Sequence, residues 1–276
     1  MFKKIIEFFK NLFKKKDTNQ TIEPITSGDT VDAVDSGSTV DVDSGDTLPS
    51  TPVVTVDDGD DEEEEPGFVS EYRILIDNGH GSDTAGKRSP WCCNGVPPAI
   101  EFYEYKWARE IAKPIVDELK SRGYNADLLV TEETDISLDE RVRRANAECS
   151  TYGASKVILV SVHANAAGSG KEWMTGRGWE AYTTRGNTKS DDLAEYLYRE
   201  AAKNFTGMKL RSDTSDGDKD KEADFKIIKK TYCTAVLTEN FFYDNVDDVN
   251  YILSDEGRKA VIKTHVDGII NYINQL

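Results

Sequence analysis

Three apolar segments, each followed by a side chain that can bind a metal, constrain the fold of this chain most strongly. The first, residues 74–80, ends in a polar turn at His80, which stands between two glycines. The second, residues 157–165, contains His163, and the third ends at Glu239. Continuous apolar runs of this length are typical of strands buried on both faces of a parallel sheet. Such strands end at one edge, so the sequence predicts a metal centre at the carboxyl edge of an α/β sheet.

Strand and helix patterns alternate from Tyr72 onward, which predicts a three-layer α/β fold: a mostly parallel, twisted sheet with helices on both faces. The predicted helices cover residues 101–122, 137–147, 190–204 and 255–273, and the further predicted strands cover residues 127–131, 178–183 and 225–228. The polar segment 212–222 is predicted to be a mobile loop.

Charge is distributed unevenly along the chain, whose net charge is −17. Residues 1–16 carry six lysines and one acid, residues 17–66 carry sixteen acids and no lysine or arginine, and residues 67–276 carry the remaining −6. Because phosphate backbones require a basic surface, we expect no nucleic-acid partner. The predicted organisation is a basic amphipathic helix (1–16), a disordered acidic linker (17–70) and a catalytic domain (71–276).

Residues 1–16 place their large apolar side chains on one helical face. These side chains are Phe2, Ile5, Ile6, Phe9, Leu12 and Phe13. The segment is shorter than the roughly 20 apolar residues needed to span a bilayer, and it lacks the uninterrupted apolar core and cleavage site of a signal peptide. The pattern favours a helix lying on an anionic membrane surface, with packing on a protein partner as the alternative. We therefore expect synthesis in the cytoplasm and a peripheral location at the inner membrane.

A hydrolytic zinc site commonly takes two histidines and one glutamate and leaves one position for water. His80 and His163 supply the imidazoles. The start of the helix predicted after residue 100 offers Glu101 and Glu104, whereas Glu110 lies about two turns further along. The residues alone leave Glu101 and Glu104 open as the third ligand.

Five motifs occur in a fixed order along the domain. They are Ile76-Asp77-Asn78-Gly79-His80-Gly81, Glu104 with Ile111-Ala112, Leu138-x-x-Arg141-x-x-x-Ala145-Asn146, Ser161-Val162-His163-Ala164-Asn165-Ala166, and Val236-Leu237-Thr238-Glu239-x-x-Phe242-x-x-Asn245. With these motifs, residues 73–276 resemble the zinc-dependent N-acetylmuramoyl-L-alanine amidases of the Amidase_3 type, which include autolysins and phage endolysins.

The resemblance implies one Zn²⁺ per chain, bound by His80, Glu104 and His163, since the motif spacing selects Glu104 over Glu101. It also implies that Glu239 is the catalytic base, taking a proton from water and passing it to the departing amine. The implied substrate is peptidoglycan, cleaved between the lactyl carbonyl of N-acetylmuramic acid and the amine of L-alanine. A phage lysin acting on the cell wall is the expected setting.

Two further motif residues have predicted roles. Asn165 is expected to orient His163 or to contact substrate, and Arg141 to pair with a buried acid or to contact substrate. Two positions depart from the family pattern, because Thr234 replaces a proline and Phe241 replaces a glycine two residues after the catalytic glutamate. A bulky ring at Phe241 is expected to change the width of the pocket.

Two other functions stay open at this point: a zinc peptidase or deacetylase on the same type of sheet, and a wall-binding module that has lost catalysis. The intact set of site residues argues against the second. His265, within the last predicted helix, is expected to be structural, and Cys149 and Cys233 are expected to be lone buried thiols.

Deletion of residues 1–16 is expected to abolish co-sedimentation of the protein with anionic liposomes at low salt, because it removes both the apolar face and the lysines. Hydrolysis of a soluble substrate should be unaffected in the same preparation. Unchanged co-sedimentation of the deletion variant would refute membrane binding by this segment.

Overall fold

The computed structural model describes residues 69–90 and 102–276, so the predicted basic helix, almost all of the acidic linker and Glu101 lie outside the described residues. Among the described helices, none combines the length and apolar character needed to cross a bilayer. The elements are β1 (Arg73–Asn78), α1 (Glu104–Ser121), β2 (Asn125–Leu128), α2 (Leu138–Tyr152), β3 (Val157–Asn165), β4 (Glu180–Thr183), α3 (Lys189–Asn204), β5 (Lys221–Glu222), α4 (Lys226–Lys230), β6 (Thr234–Phe242), α5 (Val246–Leu253) and α6 (Asp255–Ile273).

The strands form one six-stranded sheet in the order β2-β1-β3-β6-β4-β5. Strands β2, β1, β3 and β6 run parallel to one another, whereas β4 runs antiparallel to β6. The three strands that carry the candidate ligands and base, β1, β3 and β6, are therefore adjacent in the centre of the sheet. The predicted mostly parallel sheet is confirmed.

Helices cover both faces of the sheet, because successive residues of the central strands point to opposite sides. Ile74 and Ile76 pack into the core beneath α1, α3 and α6, while Leu75 packs into the core beneath α2 and α4. In β3, Val160 and Leu159 divide between the two cores in the same way. The uninterrupted apolar runs are thus explained by burial on both sides, and the three-layer arrangement is confirmed.

One predicted element has the wrong type. Residues 225–228 were expected to form a strand, but residues Lys226–Lys230 form the short helix α4. A helical turn places Ile227 and Ile228 in the same core, whereas adjacent strand residues would face opposite sides of the sheet. The short edge strand β5 lies just before this segment, at Lys221–Glu222, and pairs with β4.

The departure at Phe241 affects the core and not the pocket. Phe241 adopts a positive φ of 69°, a conformation that favours glycine, at the point where the register between β3 and β6 shifts. Its ring is fully buried, with centroids 5.0 Å from Phe205 and 5.3 Å from Tyr251. The ring packs in the core, so the expectation that it changes the width of the pocket is wrong, and aromatic packing offsets the backbone strain.

The residues expected to be structural lie in the core regions. His265 is buried, and its ring nitrogens contact the Thr238 hydroxyl at 2.9 Å and the Val261 carbonyl at 2.7 Å. Cys149 is buried and Cys233 is half-buried, and both are free thiols. The side chain of Cys233 lowers the pKa of the Cys149 thiol, so the two free thiols are neighbours in the fold although they are far apart in the sequence.

Candidate active site

The three candidate ligands meet at the carboxyl edge of the sheet, although they are far apart in the sequence. His80 follows β1, Glu104 is the first residue of α1, and His163 lies near the end of β3. The carboxylate of Glu104 lies 2.9 Å from Nδ1 of His163 and 3.4 Å from Nε2 of His80. The imidazole rings are 5.0 Å apart and nearly perpendicular. One potential ligand atom from each residue lies within 4.8 Å of the others, a spacing suited to one metal ion.

Glu104 is buried but remains charged. Burial acts to raise the pKa of its carboxyl, yet the hydrogen bond with His163 and the nearby imidazole of His80 hold this pKa at about 2. Oε1 also accepts the backbone N–H of Ala164 at 3.2 Å, whereas Oε2 is buried without a hydrogen-bond partner. An ionised carboxylate with one unsatisfied oxygen is therefore directed between the two imidazoles.

The close approach of the two histidines depends on Gly79. A Cβ atom at this position would lie 2.2 Å from Cε1 of His163, so any side chain would displace the second imidazole. His80 itself has a φ of 60°, in the left-handed region that side chains rarely adopt. The sequence Gly79-His80 thus makes a tight turn that brings one imidazole beside the other.

Arg141 holds the turn that carries His80. Its guanidinium donates to Asp77 Oδ1 at 2.6 Å, to the Asn78 carbonyl at 2.9 Å and to the His80 carbonyl at 3.2 Å. Asp77 also accepts the Ser161 hydroxyl at 2.6 Å, which ties β1 to β3. The Arg141 side chain is only 1% exposed, so it pairs with a buried acid, and we assign it a positioning role in place of substrate contact.

Arg109 is a second positioning residue, and the sequence reasoning missed it. Its Nη1 donates to the His80 carbonyl at 3.0 Å, and its Nε and Nη2 donate to the Glu132 carbonyl at 3.2 and 2.8 Å. These partners are backbone atoms, which no side-chain motif can indicate. Two guanidinium groups therefore hold the carbonyl of the strained histidine.

Glu239 lies next to the candidate metal site. It is directly opposite His163 in the pairing of β3 with β6, and residues opposite each other place their side chains on the same face. Burial raises the pKa of Glu239 to about 8, with a further contribution from the charge of Glu104, whereas the charge of His163 acts to lower it. Its Oε2 is buried without a hydrogen-bond partner. A carboxyl group in this state exchanges protons near neutral pH.

A buried glutamate on the other side of Glu239 was also missed. Glu180 is opposite Glu239 in the pairing of β4 with β6 and is 1% exposed. Its Oε2 lies 2.6 Å from Nε of Arg211 and 2.5 Å from Nζ of Lys221. Although burial acts to raise the pKa of Glu180, hydrogen bonds with Lys221 and Arg211 lower it, so this carboxylate stays charged. The pKa of Glu239 is thus raised and the pKa of the neighbouring Glu180 is lowered, because Glu180 is paired with two cationic side chains.

Asn165 belongs to this second network. Its amide donates to Glu180 at 2.7 Å, and its oxygen accepts the backbone N–H of Ala166 at 2.8 Å. The His163 carbonyl is held instead by the amide of Asn240 at 2.9 Å. The expectation that Asn165 orients His163 is therefore wrong, whereas its contact with substrate stays a prediction.

The comparison with known families agrees with this geometry. Residues 74–271, a segment that contains all the site residues described above, match the family model described as N-acetylmuramoyl-L-alanine amidase. The chain belongs to the Amidase_3 family.

Individual relatives of this Amidase_3 domain support the assignment. It is 30% identical over 204 residues to an endolysin of Bacillus phage SPP1, covering 73% of this chain and 66% of the endolysin. It is 26% identical over 205 residues to the N-acetylmuramoyl-L-alanine amidase CwlM of Bacillus licheniformis, covering 73% of this chain and 69% of CwlM. Its fold is similar to that of an N-acetylmuramoyl-L-alanine amidase of Clostridium difficile 630, with a TM-score of 0.59, 23% identity and coverage of 74% and 97% of the two chains.

Replacement of Arg141 by methionine is expected to destabilise the domain by about 3–5 kcal/mol, because it leaves the buried charge of Asp77 unpaired. Urea unfolding followed by circular dichroism measures the effect. Arg143→Met is the matched control, since it removes an exposed pair with Glu140 on the same helix and should leave the midpoint nearly unchanged. Equal midpoints for the two variants would contradict the positioning role of Arg141.

Proposed function

We propose that this chain is a zinc-dependent N-acetylmuramoyl-L-alanine amidase that cleaves peptidoglycan with Glu239 as general base and acid. The proposal is carried by one observation: two histidines and a charged glutamate converge at the strand edge, with Glu239 beside them, in an Amidase_3 domain. His80, Glu104 and His163 are the proposed ligands of a single Zn²⁺.

The donor set fits zinc. Two imidazoles and one carboxylate are the ligands of many hydrolytic zinc sites, and they leave a position for water. The low pKa of Glu104 keeps its carboxylate available, and its unpartnered Oε2 faces the imidazoles. When bound, zinc supplies Lewis acidity, which lowers the pKa of water towards about 7 and polarises a carbonyl.

Glu239 would carry the proton between the two halves of the reaction. Amide hydrolysis requires a proton to leave the attacking water and a proton to reach the departing amine. A carboxyl group whose pKa is raised to about 8 has the proton affinity to take up the first proton and to return it to the amine. In its ionised form it performs the first step, and in its protonated form it performs the second.

The relatives support the substrate assignment. The name of CwlM describes an N-acetylmuramoyl-L-alanine amidase, and the phage SPP1 relative is an endolysin. The match spans about two thirds of the SPP1 endolysin. We propose that this chain acts on the cell wall as a phage lysin, with residues 71–276 as the catalytic domain, residues 17–70 as a linker and residues 1–16 as a membrane-binding helix.

Glu239→Gln is expected to lower the rate of cell-wall hydrolysis by roughly 10²–10⁴-fold while the protein retains one zinc per chain, because the amide cannot accept a proton. His80→Ala should lose both zinc and activity. Glu172→Gln makes the same chemical change at an exposed glutamate and serves as the matched control. Zinc content by mass spectrometry and clearing of a cell-wall suspension give the two readouts.

Wild-type clearing by Glu239→Gln would refute its role as base. Mass analysis of the products of soluble muropeptides separates the alternatives, since an amidase frees the stem peptide, a peptidase cuts within the stem, and a deacetylase frees acetate. Release of acetate or of stem fragments alone would refute the proposed bond.

A further inference from the structure

A second cluster of acidic side chains lies away from the candidate zinc site. It contains Asp191 from the first turn of α3 and Asp218 and Asp220 from the loop that precedes β5. One carboxylate oxygen from each residue lies within 4.8 Å of the others. The cluster therefore joins two segments of the chain that are nearly thirty residues apart.

Asp220 shows that the cluster is more than a group of surface charges. This residue is only 2% exposed, yet its Oδ1 is buried without a hydrogen-bond partner. Its Oδ2 accepts the Thr183 hydroxyl at 2.5 Å. Asp218 Oδ1 is also buried and unpartnered. Asp218 and Asp220 thus each have one buried carboxylate oxygen without a hydrogen-bond donor. Burial of such an oxygen costs free energy unless a ligand is bound to it.

The neighbouring carboxylates make the electrostatic environment of the cluster negative, although Asp191 Oδ2 accepts the Thr188 backbone N–H in the capping box of α3. Burial, together with the neighbouring carboxylates of Asp218 and Asp191, raises the pKa of Asp220 to about 7. Burial likewise raises the pKa of Asp191, and the strongest charges acting on it are those of Asp218 and Asp192. Like charges oppose the ionisation of Asp220 and Asp191, and a bound cation would reverse that effect.

We propose that Asp191, Asp218 and Asp220 form a calcium-binding site. The donors are all carboxylate oxygens, which suit a hard cation, unlike the nitrogen-containing set at His80 and His163. Calcium accepts irregular coordination at 2.3–2.6 Å, so ligands on opposite sides of the ion lie about 4.6–5.2 Å apart, which accommodates the observed spacing. Magnesium requires a nearly ideal octahedron, which an irregular loop and a helix terminus are poorly suited to supply.

The position of the site suggests what the ion does. The loop begins after Arg211 and ends at Lys221, and both of these residues pair with Glu180 beside Glu239. A calcium ion bound to Asp218, Asp220 and α3 would hold this loop in place. It would thereby also hold Arg211 and Lys221, whose positive charges keep Glu180 ionised. Calcium would therefore order one wall of the candidate active site without touching the reacting atoms.

Hydrogen–deuterium exchange of the full-length, zinc-loaded chain in calcium-free buffer, with and without about 1 mM CaCl₂, tests this site, because calcium sites cover dissociation constants up to about 10⁻³ M. Calcium is expected to slow exchange several-fold in peptides covering residues 211–222 and the first turn of α3. The double variant Asp218→Asn/Asp220→Asn should lose this protection. Asp213→Asn/Asp216→Asn removes the same number of charges from exposed positions of the same loop and should retain it.

Three results would overturn the proposal: no protection in the wild-type chain, protection that survives Asp218→Asn/Asp220→Asn, or equal protection by MgCl₂. Protection confined to residues 17–66 would show binding to the acidic linker only and would also overturn it. The wild-type measurement stands without any variant, and exchange does not depend on catalysis. Failure of the proposed amidase activity would therefore be distinguishable from failure of the calcium site.

Discussion

The pairing of one buried carboxylate with two imidazoles determines how the rest of the strand edge is built. Burial of an ionised Glu104 costs free energy, and the adjacent histidines and the Ala164 N–H offset that cost. The resulting arrangement keeps the carboxylate deprotonated, which is the state that a metal requires. It also leaves Oε2 of Glu104 without a hydrogen-bond partner, so the site favours a bound cation.

Surrounding residues also hold each of the two histidines in position. On the side of β1, Arg141 and Arg109 hold the carbonyl of His80 in its left-handed turn. On the side of β3, Asn240 holds the carbonyl of His163, and the missing side chain of Gly79 leaves room for its ring. The catalytic geometry therefore depends on backbone atoms, which explains why substitutions beneath the site should affect it through stability and position together.

The sequence predicted the elements with strong local signals. Apolar runs located β1, β3 and β6 with the site residues at their ends, and the helix at residues 255–273 has the predicted bounds.

The sequence prediction failed where contacts with distant segments determine the local conformation. Burial of two isoleucines in one core favours a helix at α4, and burial of the Phe241 ring among aromatic neighbours offsets a backbone conformation typical of glycine. Arg109 and Glu180 could not be predicted, since their partners are backbone carbonyls or residues from distant segments. Helix α5 was not predicted from the sequence, although its signal was present, because Asn245 accepts the N–H groups of Asp247 and Asp248.

Anomalous diffraction at the zinc absorption edge from crystals of the zinc-loaded chain tests the central claim most directly. We expect one peak, bonded to nitrogen atoms of His80 and His163 and a carboxylate oxygen of Glu104, at about 2.0–2.2 Å. Zinc bound elsewhere, including at the aspartate cluster, or imidazoles on separate parts of the surface, would contradict the account.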